Sequence, residues 1–182
     1  GNNGLYISND GGTTNAYTST SESVVYAYRT IDIDENAFYE ISFDWRSFGD
    51  VDNFDGILGV FMAPVSSDFD LSGGNNLTVL PDGWIVIAEE PLAGAPFWLN
   101  FSNTIYIDEG NYNLIFYWAN EDNGGDLNPP AAIDNVSVTK VANPIVATSS
   151  VSDISATSAT LHGSILSHGT SDITVRGFEY GT

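Results

Sequence analysis

The segment FYEISFDWRSF, Phe38 to Phe48, decides the fold class because its polarity alternates at every residue. The odd positions are apolar or aromatic: Tyr39, Ile41, Phe43 and Trp45. The even positions are polar: Glu40, Ser42, Asp44 and Arg46. Successive side chains of a β-strand point to opposite faces, so this pattern predicts a strand with one buried and one solvated face.

The rest of the chain also has patterns typical of strands, and no segment shows a convincing helical period. Strands are predicted at 5–8, 23–31, 56–64, 84–90, 97–107, 111–120 and 131–141, separated by clusters of Gly, Asn, Asp and Pro. The strand at 111–120 is apolar on both faces, with Ile115 and Tyr117 opposite Phe116 and Trp118. We expect it to be covered on both sides or to expose aromatic side chains. About eight strands predict an all-β, mostly antiparallel, two-sheet sandwich.

A boundary is predicted near 140–147, where Pro144 is followed by a segment rich in Ser, Thr and Ala. Three further strands are expected near 145–154, 158–167 and 172–180. Three strands cannot close a sandwich alone, so we expect an incomplete second β-domain, completed by later chain or by another molecule.

The amino-acid composition restricts the classes of partner that the chain can bind. The chain carries 24 Asp and Glu against four Lys and Arg, a formal net charge of −20, which repels nucleic acid and anionic membranes and favours divalent cations or simple solubility. With no cysteine there is no disulfide or zinc–thiolate site. No apolar run is long enough for membrane insertion. The opening GNNGLYISND suggests part of a longer exported protein.

The segment AAIDNVSVTKV, Ala131 to Val141, contains a conflict. Its even positions include Val136 and Val138, which mark that side as the buried face. Asp134 is on the same side, and a buried carboxylate is costly without a cation or several donors. The alternatives are a structural cation, a pairing with Arg29, or capping by backbone N–H groups.

Two resemblances extend this reading. Residues 1–141 resemble the MAM-like, cleaved-adhesin ("choice-of-anchor") jelly-roll modules of bacterial surface proteins, through YEISFDWRSFGDVDNFDGILGVFMAP, FWLNFSNTIYIDEGNYNLIFYWAN and PAAIDNVSVTKV in that order. The resemblance implies a jelly-roll sandwich whose first strand is missing here. Residues 142–182, with VRGFEYGT, resemble the first half of a fibronectin type III-like (Ig-like) repeat.

The first resemblance also implies a structural calcium ion. The family has (I/L)DD where this chain has IDN, and its first Asp, which serves the ion, falls on Asp134. The Gly-rich loop ISNDGGTTNAY offers Asn9, Asp10 and Asn15 as co-ligands, since calcium binds carboxylate and amide oxygens. The acidic loops GDVDNFDG and NEDNGGD are interpreted as solvated turns, with a second cation as the alternative: Asp50, Asp52, Asp55, Glu121, Asp122 and Asp126.

Surface chemistry gives two further expectations. Trp45 and Trp118 are expected in the core. Trp84 and Trp98 follow turns near strand starts; structural roles are favoured for both, and glycan stacking at the surface is the alternative. The histidines, His162 and His168, have no nucleophile motif around them, so no catalytic residue is predicted.

The expected function is therefore a non-catalytic module at the bacterial cell surface or in the extracellular medium. It would act in adhesion or scaffolding, or as the subunit of a filament in which copies of the chain complete each other's sheets. The alternative is a carbohydrate-binding module of a larger secreted enzyme, with glycans as partners. Neither reading involves nucleic acid or membrane insertion.

Overall fold

A computed structural model describes residues 4–18, 20–52, 55–71, 77, 79–121, 128–170, 172–179 and 181. It contains ten strands: β1 (Leu5–Tyr6), β2 (Ser23–Ile33), β3 (Ala37–Ser47), β4 (Ile57–Pro64), β5 (Ile85–Val86), β6 (Ala95–Ile107), β7 (Gly110–Asn120), β8 (Ala132–Lys140), β9 (Ile145–Ser152) and β10 (Thr160–Ser167). All pairings are antiparallel, and no helix occurs in the described ranges, so the all-β prediction is confirmed. Accordingly, these residues contain no helix able to cross a membrane.

Two four-stranded sheets form a sandwich-like arrangement, with strand orders β1-β8-β3-β6 and β2-β7-β4-β5. The odd residues of β3 enter the core, where Ile41 and Phe43 are fully buried. The Phe43 ring meets Phe116 of β7 edge to face, with 5.2 Å between ring centroids. Burying a side chain of this size contributes about 1.5–3 kcal/mol, so the alternating pattern of β3 directly holds the two sheets together.

The strand β7 is covered on both faces, which confirms the first of the two alternatives for 111–120. Phe116 and Trp118 face the inter-sheet core, while Ile115 and Tyr117 lie under the connection between β4 and β6. Trp84 forms part of that cover, in contact with Phe61 and Phe69 rings at centroid distances of 5.9 and 5.2 Å. This outer layer explains why β7 lacks a polar face.

The strand predicted at 84–90 is shorter than expected. Only Ile85–Val86 pairs with β4 as β5. The amides of both Ile87 and Ala88 donate to the Val60 carbonyl, at 3.0 and 3.4 Å. Two consecutive amides on one acceptor cannot continue a ladder, because neighbouring strand residues point their N–H groups to opposite edges.

In the tail, β9 and β10 confirm two of the three predicted strands and form a separate two-stranded sheet. The third prediction is wrong over 172–179, which form no ladder; residues 171, 180 and 182 lie outside the described part of the chain. The Phe178 ring nevertheless lies beside Gly163 of β10. The division into a jelly roll at 1–141 and a partial fibronectin-like domain at 142–182 stays a prediction.

We expect Gly49→Ala to destabilise the sandwich by about 1–3 kcal/mol, the usual cost of overpacking. A Cβ atom at Gly49 would lie 2.3 Å from the Gly56 carbonyl oxygen. The atoms nearest to it all belong to the backbone, which cannot move aside as the end of a flexible side chain can. Urea denaturation measures the loss. Gly177→Ala is the matched control, since its Cβ would meet nothing within 4 Å. Equal denaturation midpoints for the two variants would contradict the expectation.

Candidate functional site

A β-bulge in β8 resolves the conflict at Asp134. Ile41 pairs with Val138, and Ser42 with Ser137, but Asp44 then pairs with Asp134, so two β8 residues oppose Phe43 alone. One extra residue reverses the alternation on either side of the bulge. Asn135, at the bulge, has φ of +51°. This left-handed conformation is one that asparagine tolerates better than most residues.

The reversal moves Asp134 to the outer face of the sheet, opposite Asp44. The prediction that Asp134 shares the buried face with the valines is therefore wrong. Ile133 is buried instead, with 6% of its surface exposed, and Asp134 is half-buried. The Asn135 N–H donates to Asp134 Oδ1 at 2.7 Å, which corresponds to the backbone-capping alternative.

The outer face around this bulge forms a polar row across β6, β3 and β8. The Asn135 side chain donates to Asp44 Oδ2 at 2.7 Å, and Asn100 donates to Asp44 Oδ1 at 3.0 Å. These two amides, Asn135 first, lower the pKa of the Asp44 carboxyl because they stabilise its charged form. Two residues further along β3, on the same outer face, the Arg46 guanidinium lies 5.3 Å from the centre of the Trp98 ring.

The structure does not bring Asp134 together with its predicted co-ligands. Asp10 accepts from Ser8, Thr13 and Thr14, which lowers the pKa of its carboxyl, with Ser8 the largest cause. Asn9 closes the same loop by contacts with Ala16 and Thr18. These side chains satisfy loop groups, as in ordinary Asx turns.

Asn15 points elsewhere. Its amide lies between the Ile7 carbonyl and the Arg46 guanidinium, at 3.0 and 2.9 Å when its oxygen faces the arginine, and it also approaches the Pro130 carbonyl. Pro130 is four residues before Asp134, or about 13 Å along an extended chain. The predicted set Asp134, Asn9, Asp10 and Asn15 is thus not assembled into one cation site.

The acidic loop before β4 differs from its predicted description as a solvated turn. Asp50 and Asp55 form an isolated β-bridge, with Asp50 N to Asp55 O at 2.7 Å and the reverse bond at 3.0 Å. Asp55 is 2% exposed, so the prediction is wrong for this residue. Asp52 is exposed, and its N–H donates to Asp50 Oδ1 at 2.9 Å. The predicted positions Asp122 and Asp126 lie outside the described residues.

Burial raises the pKa of the Asp55 carboxyl, and the charges of Glu121 and Asp50 raise it further. The backbone N–H groups of Glu121 and Gly56 act in the opposite direction by donating to the carboxylate. Asn120, which precedes Glu121 in the chain, is 1% exposed, and its side-chain nitrogen donates to the Ser21 carbonyl at 2.9 Å. No group of three or more His, Cys, Asp or Glu side chains in the described ranges is arranged around a metal position. The second cation considered for these acidic loops stays a prediction, and the burial of Asn120 was not indicated by the sequence.

The two tryptophans considered for glycan stacking, Trp84 and Trp98, differ in their exposure. Trp84 is 7% exposed and donates from Nε1 to Ser67 Oγ at 3.0 Å, which agrees with the structural role favoured for it and leaves its ring enclosed rather than open to a glycan. Trp98 is 47% exposed on the polar row. Trp45 and Trp118, at 7% and 2%, lie in the core as predicted.

His162 has a hydroxyl neighbour that the sequence did not indicate: its Nε2 lies 2.9 Å from Ser152 Oγ, across the β9–β10 pair. The same hydroxyl contacts the Asp153 carboxylate at 3.0 Å. In a catalytic triad the carboxylate orients the imidazole rather than the serine. The order of these three side chains therefore differs from that of a triad.

A cleft of about 810 Å³ lies between β2 and β8, at the edge where the two sheets separate. The strand β1 pairs with β8 only at Ala132 and Ile133, so the β8 edge beyond Ile133 has no ladder partner among the described residues. Leu5 of β1 and Val136 of β8 line the cleft and are 51% and 44% exposed. Apolar side chains that would be core in a closed sandwich are therefore accessible here.

We expect Asn135→Val to destabilise the fold by about 1–3 kcal/mol, because a β-branched residue is strained at a φ of +51°. Asn135→Gly, which removes the strain along with the amide, should retain more stability. Ser137→Val, on the exposed outer face of the same strand, is the control and should be nearly neutral. Urea denaturation midpoints give the comparison, and equal losses for the two valine variants would contradict it.

Compared with known proteins, the chain matches no protein-family model and no curated protein. The resemblance to MAM-like modules therefore stays an expectation drawn from its motifs.

Proposed function

We propose that this chain is a non-catalytic β-sandwich module of an extracellular or cell-surface protein, used for adhesion or scaffolding. Neighbouring copies associate when a strand of one enters the β2–β8 cleft of the next and pairs with the free edge of β8. The observation that carries the proposal is this cleft, which joins an unpaired strand edge to an open part of the apolar core. The motif resemblance to surface modules supports it.

The free edge has the length of a typical added strand. It extends from Asp134 to Lys140, so its seven residues would span about 23 Å. An added strand would gain main-chain hydrogen bonds along this edge. Its inward side chains would cover Leu114 and Phe116 of β7, which line the cleft floor. Specificity would arise from an alternating apolar pattern in the incoming strand.

Charge also favours a copy of this acidic chain as the occupant. Arg29 pairs with Leu114, so it lies on the inner face of the edge strand β2, and it is exposed within the cleft. An inward charge on an edge strand deters non-specific pairing. A strand with a carboxylate at the facing position would neutralise it, and a chain of net charge −20 supplies such strands.

The tail offers an exposed surface of the kind required. Val146, Ile154 and Val175 are 67%, 75% and 86% exposed, and β9 has an unpaired outer edge among the described strands. A contact from this tail to the β8 edge of another copy is head-to-tail. Such a heterologous contact repeats along a line and produces filaments unless the rotation closes a ring.

Val136→Glu tests the proposal because it places a charge in the cleft at a position too exposed to disturb the core. We expect the unmodified chain to form concentration-dependent oligomers in sedimentation experiments, more strongly at high salt, which screens its net charge. Val136→Glu should remain monomeric. Val65→Glu, at a position 49% exposed outside the cleft, should associate like the unmodified chain.

Electron microscopy supplies the shape of the assemblies, which should be linear. A compact monomer at every concentration and salt level would overturn the proposal. Oligomers that persist in Val136→Glu would also overturn it, since association would then use another surface.

A second candidate function is glycan binding on the polar row, as in a carbohydrate-binding module of a larger secreted enzyme. The specific observation is Trp98, an exposed aromatic ring with the Arg46 guanidinium, the Asn100 amide and the Asp44 carboxylate on the same sheet face. An aromatic face beside a few fixed polar groups is the usual composition of a sugar site. Trp84 takes no part in this version of the hypothesis, because it is buried.

A glycan array probed with the chain and with Trp98→Ala tests this candidate. We expect Trp98→Ala to abolish binding and Asp44→Ala to weaken it, because the ring supplies the stacking surface and the carboxylate one acceptor. Tyr28→Ala, at a position 56% exposed on the opposite sheet, should bind like the unmodified chain. Absence of any bound glycan, or binding unaffected by Trp98→Ala, would count against a sugar site here.

A further inference from the structure

The edge strand β6 contains no charged residue, although the chain as a whole has a net charge of −20. Its 13 residues, APFWLNFSNTIYI, make it the longest of the described strands, and β3 is its only ladder partner among them. Edge strands usually carry charges or prolines that prevent pairing with other chains. Beyond Pro96, at its beginning, β6 has neither, so its outer edge is open to a further strand.

The inner face of β6 also has the apolar pattern that strand addition requires. Leu99 pairs with Trp45 and Phe101 pairs with Phe43, which places both side chains on the core side of the sheet. Leu99 is nevertheless 51% exposed, and Phe101 is half-buried. Phe97, in the irregular part of this strand, is 79% exposed. The edge of β6 therefore combines free main-chain groups with open apolar side chains.

The strand β6 matches the free edge of β8 in direction and in length. Both strands run antiparallel to β3, so a copy displaced sideways across its own sheet brings β6 beside β8 of the next copy in a parallel pairing. Through their shared partners on β3, Asn100 is level with Asp134, and Ile105 is level with Lys140. The regular part of β6 therefore covers the whole free edge, a length of about 20 Å.

The irregular part of β6 falls where the β8 edge is already occupied by β1. Trp45 pairs with Leu99 on one side and with Ile133 on the other, and Ile133 pairs with Leu5. From Leu99 back to Ala95, β6 departs from regular pairing, which leaves room for β1 of the next copy. Leu5 and Leu99 are each 51% exposed and would meet at this end of the contact.

Charge is complementary between the two edges of the sandwich. Glu89 and Glu90 are exposed in the segment after β5, and Asn103 of β6 holds this segment by donating to the Ile87 carbonyl at 2.9 Å. Arg29 is exposed in the cleft at the opposite edge. A head-to-tail contact brings these carboxylates towards the arginine of the next copy, whereas a contact between two β6 edges would oppose like charges.

We propose that β6 is the strand that pairs with the free edge of β8 in the next copy, so that one sheet continues from copy to copy. This inference rests on the proposed association through the cleft and names the surface that enters it. Leu99 and Phe101 add apolar cover to the cleft beside Val136. The tail takes no part in the contact, and the polar row stays open on the outer face of the sheet.

Engineered cysteines locate the contact directly, because the chain has none of its own. Thr104 and Thr139 are exposed and both pair with Glu40, on opposite edges of β3. Within one copy they are two strand spacings apart, about 10 Å, which is too far for a disulfide. Between copies the proposed pairing makes them neighbours. We expect the variant with Thr104→Cys and Thr139→Cys to give a ladder of cross-linked oligomers on a non-reducing gel.

The control combines Thr139→Cys with Thr148→Cys, which is exposed on β9 of the tail. It should give no ladder. A ladder from this control, with none from the first variant, would overturn the assignment of β6. Association through the cleft would then still stand, with the tail as the strand that enters it.

Leu99→Glu is a second, independent variant. It should raise the concentration needed for association by at least about 10-fold, because it places a carboxylate inside the contact. Its melting temperature should stay close to that of the unmodified chain, since the position is half open. Val146→Glu, at a position 67% exposed on β9, should associate normally. Normal association of Leu99→Glu, with Val136→Glu monomeric, would overturn β6 as the donor but not the proposed function.

A charge exchange tests the orientation of the contact. Arg29→Glu should weaken association, and so should the joint change of Glu89→Arg and Glu90→Arg. Combining all three in one chain should restore it, because each contact then regains opposite charges. A combined variant that associates no better than either partial change would overturn the assignment of this edge. An unmodified chain that stays monomeric throughout would overturn both this inference and the proposed function.

Discussion

The alternation of side chains along β3 is the constraint on which the rest of this sandwich depends. The strand pairs along its length with β6 on one edge and with β8 on the other, so its two faces define the two faces of the whole sheet. Phe43 on the inner face packs against both Phe101 of its own sheet and Phe116 of the opposite sheet. Asp44 on the outer face collects the amides of both neighbouring strands. Alternate side chains of this one strand therefore contribute to the core and to the polar row.

The bulge in β8 shows how one residue can separate two functions within a strand. Before it, Ile133 enters the core; after it, Val138 does, although these residues are an odd number of positions apart. Asp134 therefore faces outward instead of entering the interior, and Asn135 is oriented towards Asp44. The same bulge lies beside the cleft, so the β8 edge presents both an open apolar surface and a polar row on its opposite face.

Much of the fold follows from local patterns. The alternation in β3, the two-sided apolar pattern of β7 and the burial of Trp45 and Trp118 agree with the structure, because period-two burial is a property of the strand alone. The site was less predictable. Asp134 was assigned by alternation to the wrong face, and the sequence did not distinguish Trp84, which the connection between β4 and β6 encloses, from the exposed Trp98. A bulge and a covering loop are set by partners distant in sequence.

By itself, the sequence determined that the chain forms antiparallel sheets, which residues of β3 and β7 enter a core, and that the molecule is strongly acidic. These features depend on composition and on spacing within single strands. Only the tertiary structure decided which acids are buried: Asp55, interpreted as a solvated turn residue, is enclosed, while Asp134, interpreted as a residue of the buried face, faces outward. The physical reason is register. Burial of a particular carboxylate depends on which strands pair and where a ladder gains one residue, and no local pattern specifies either.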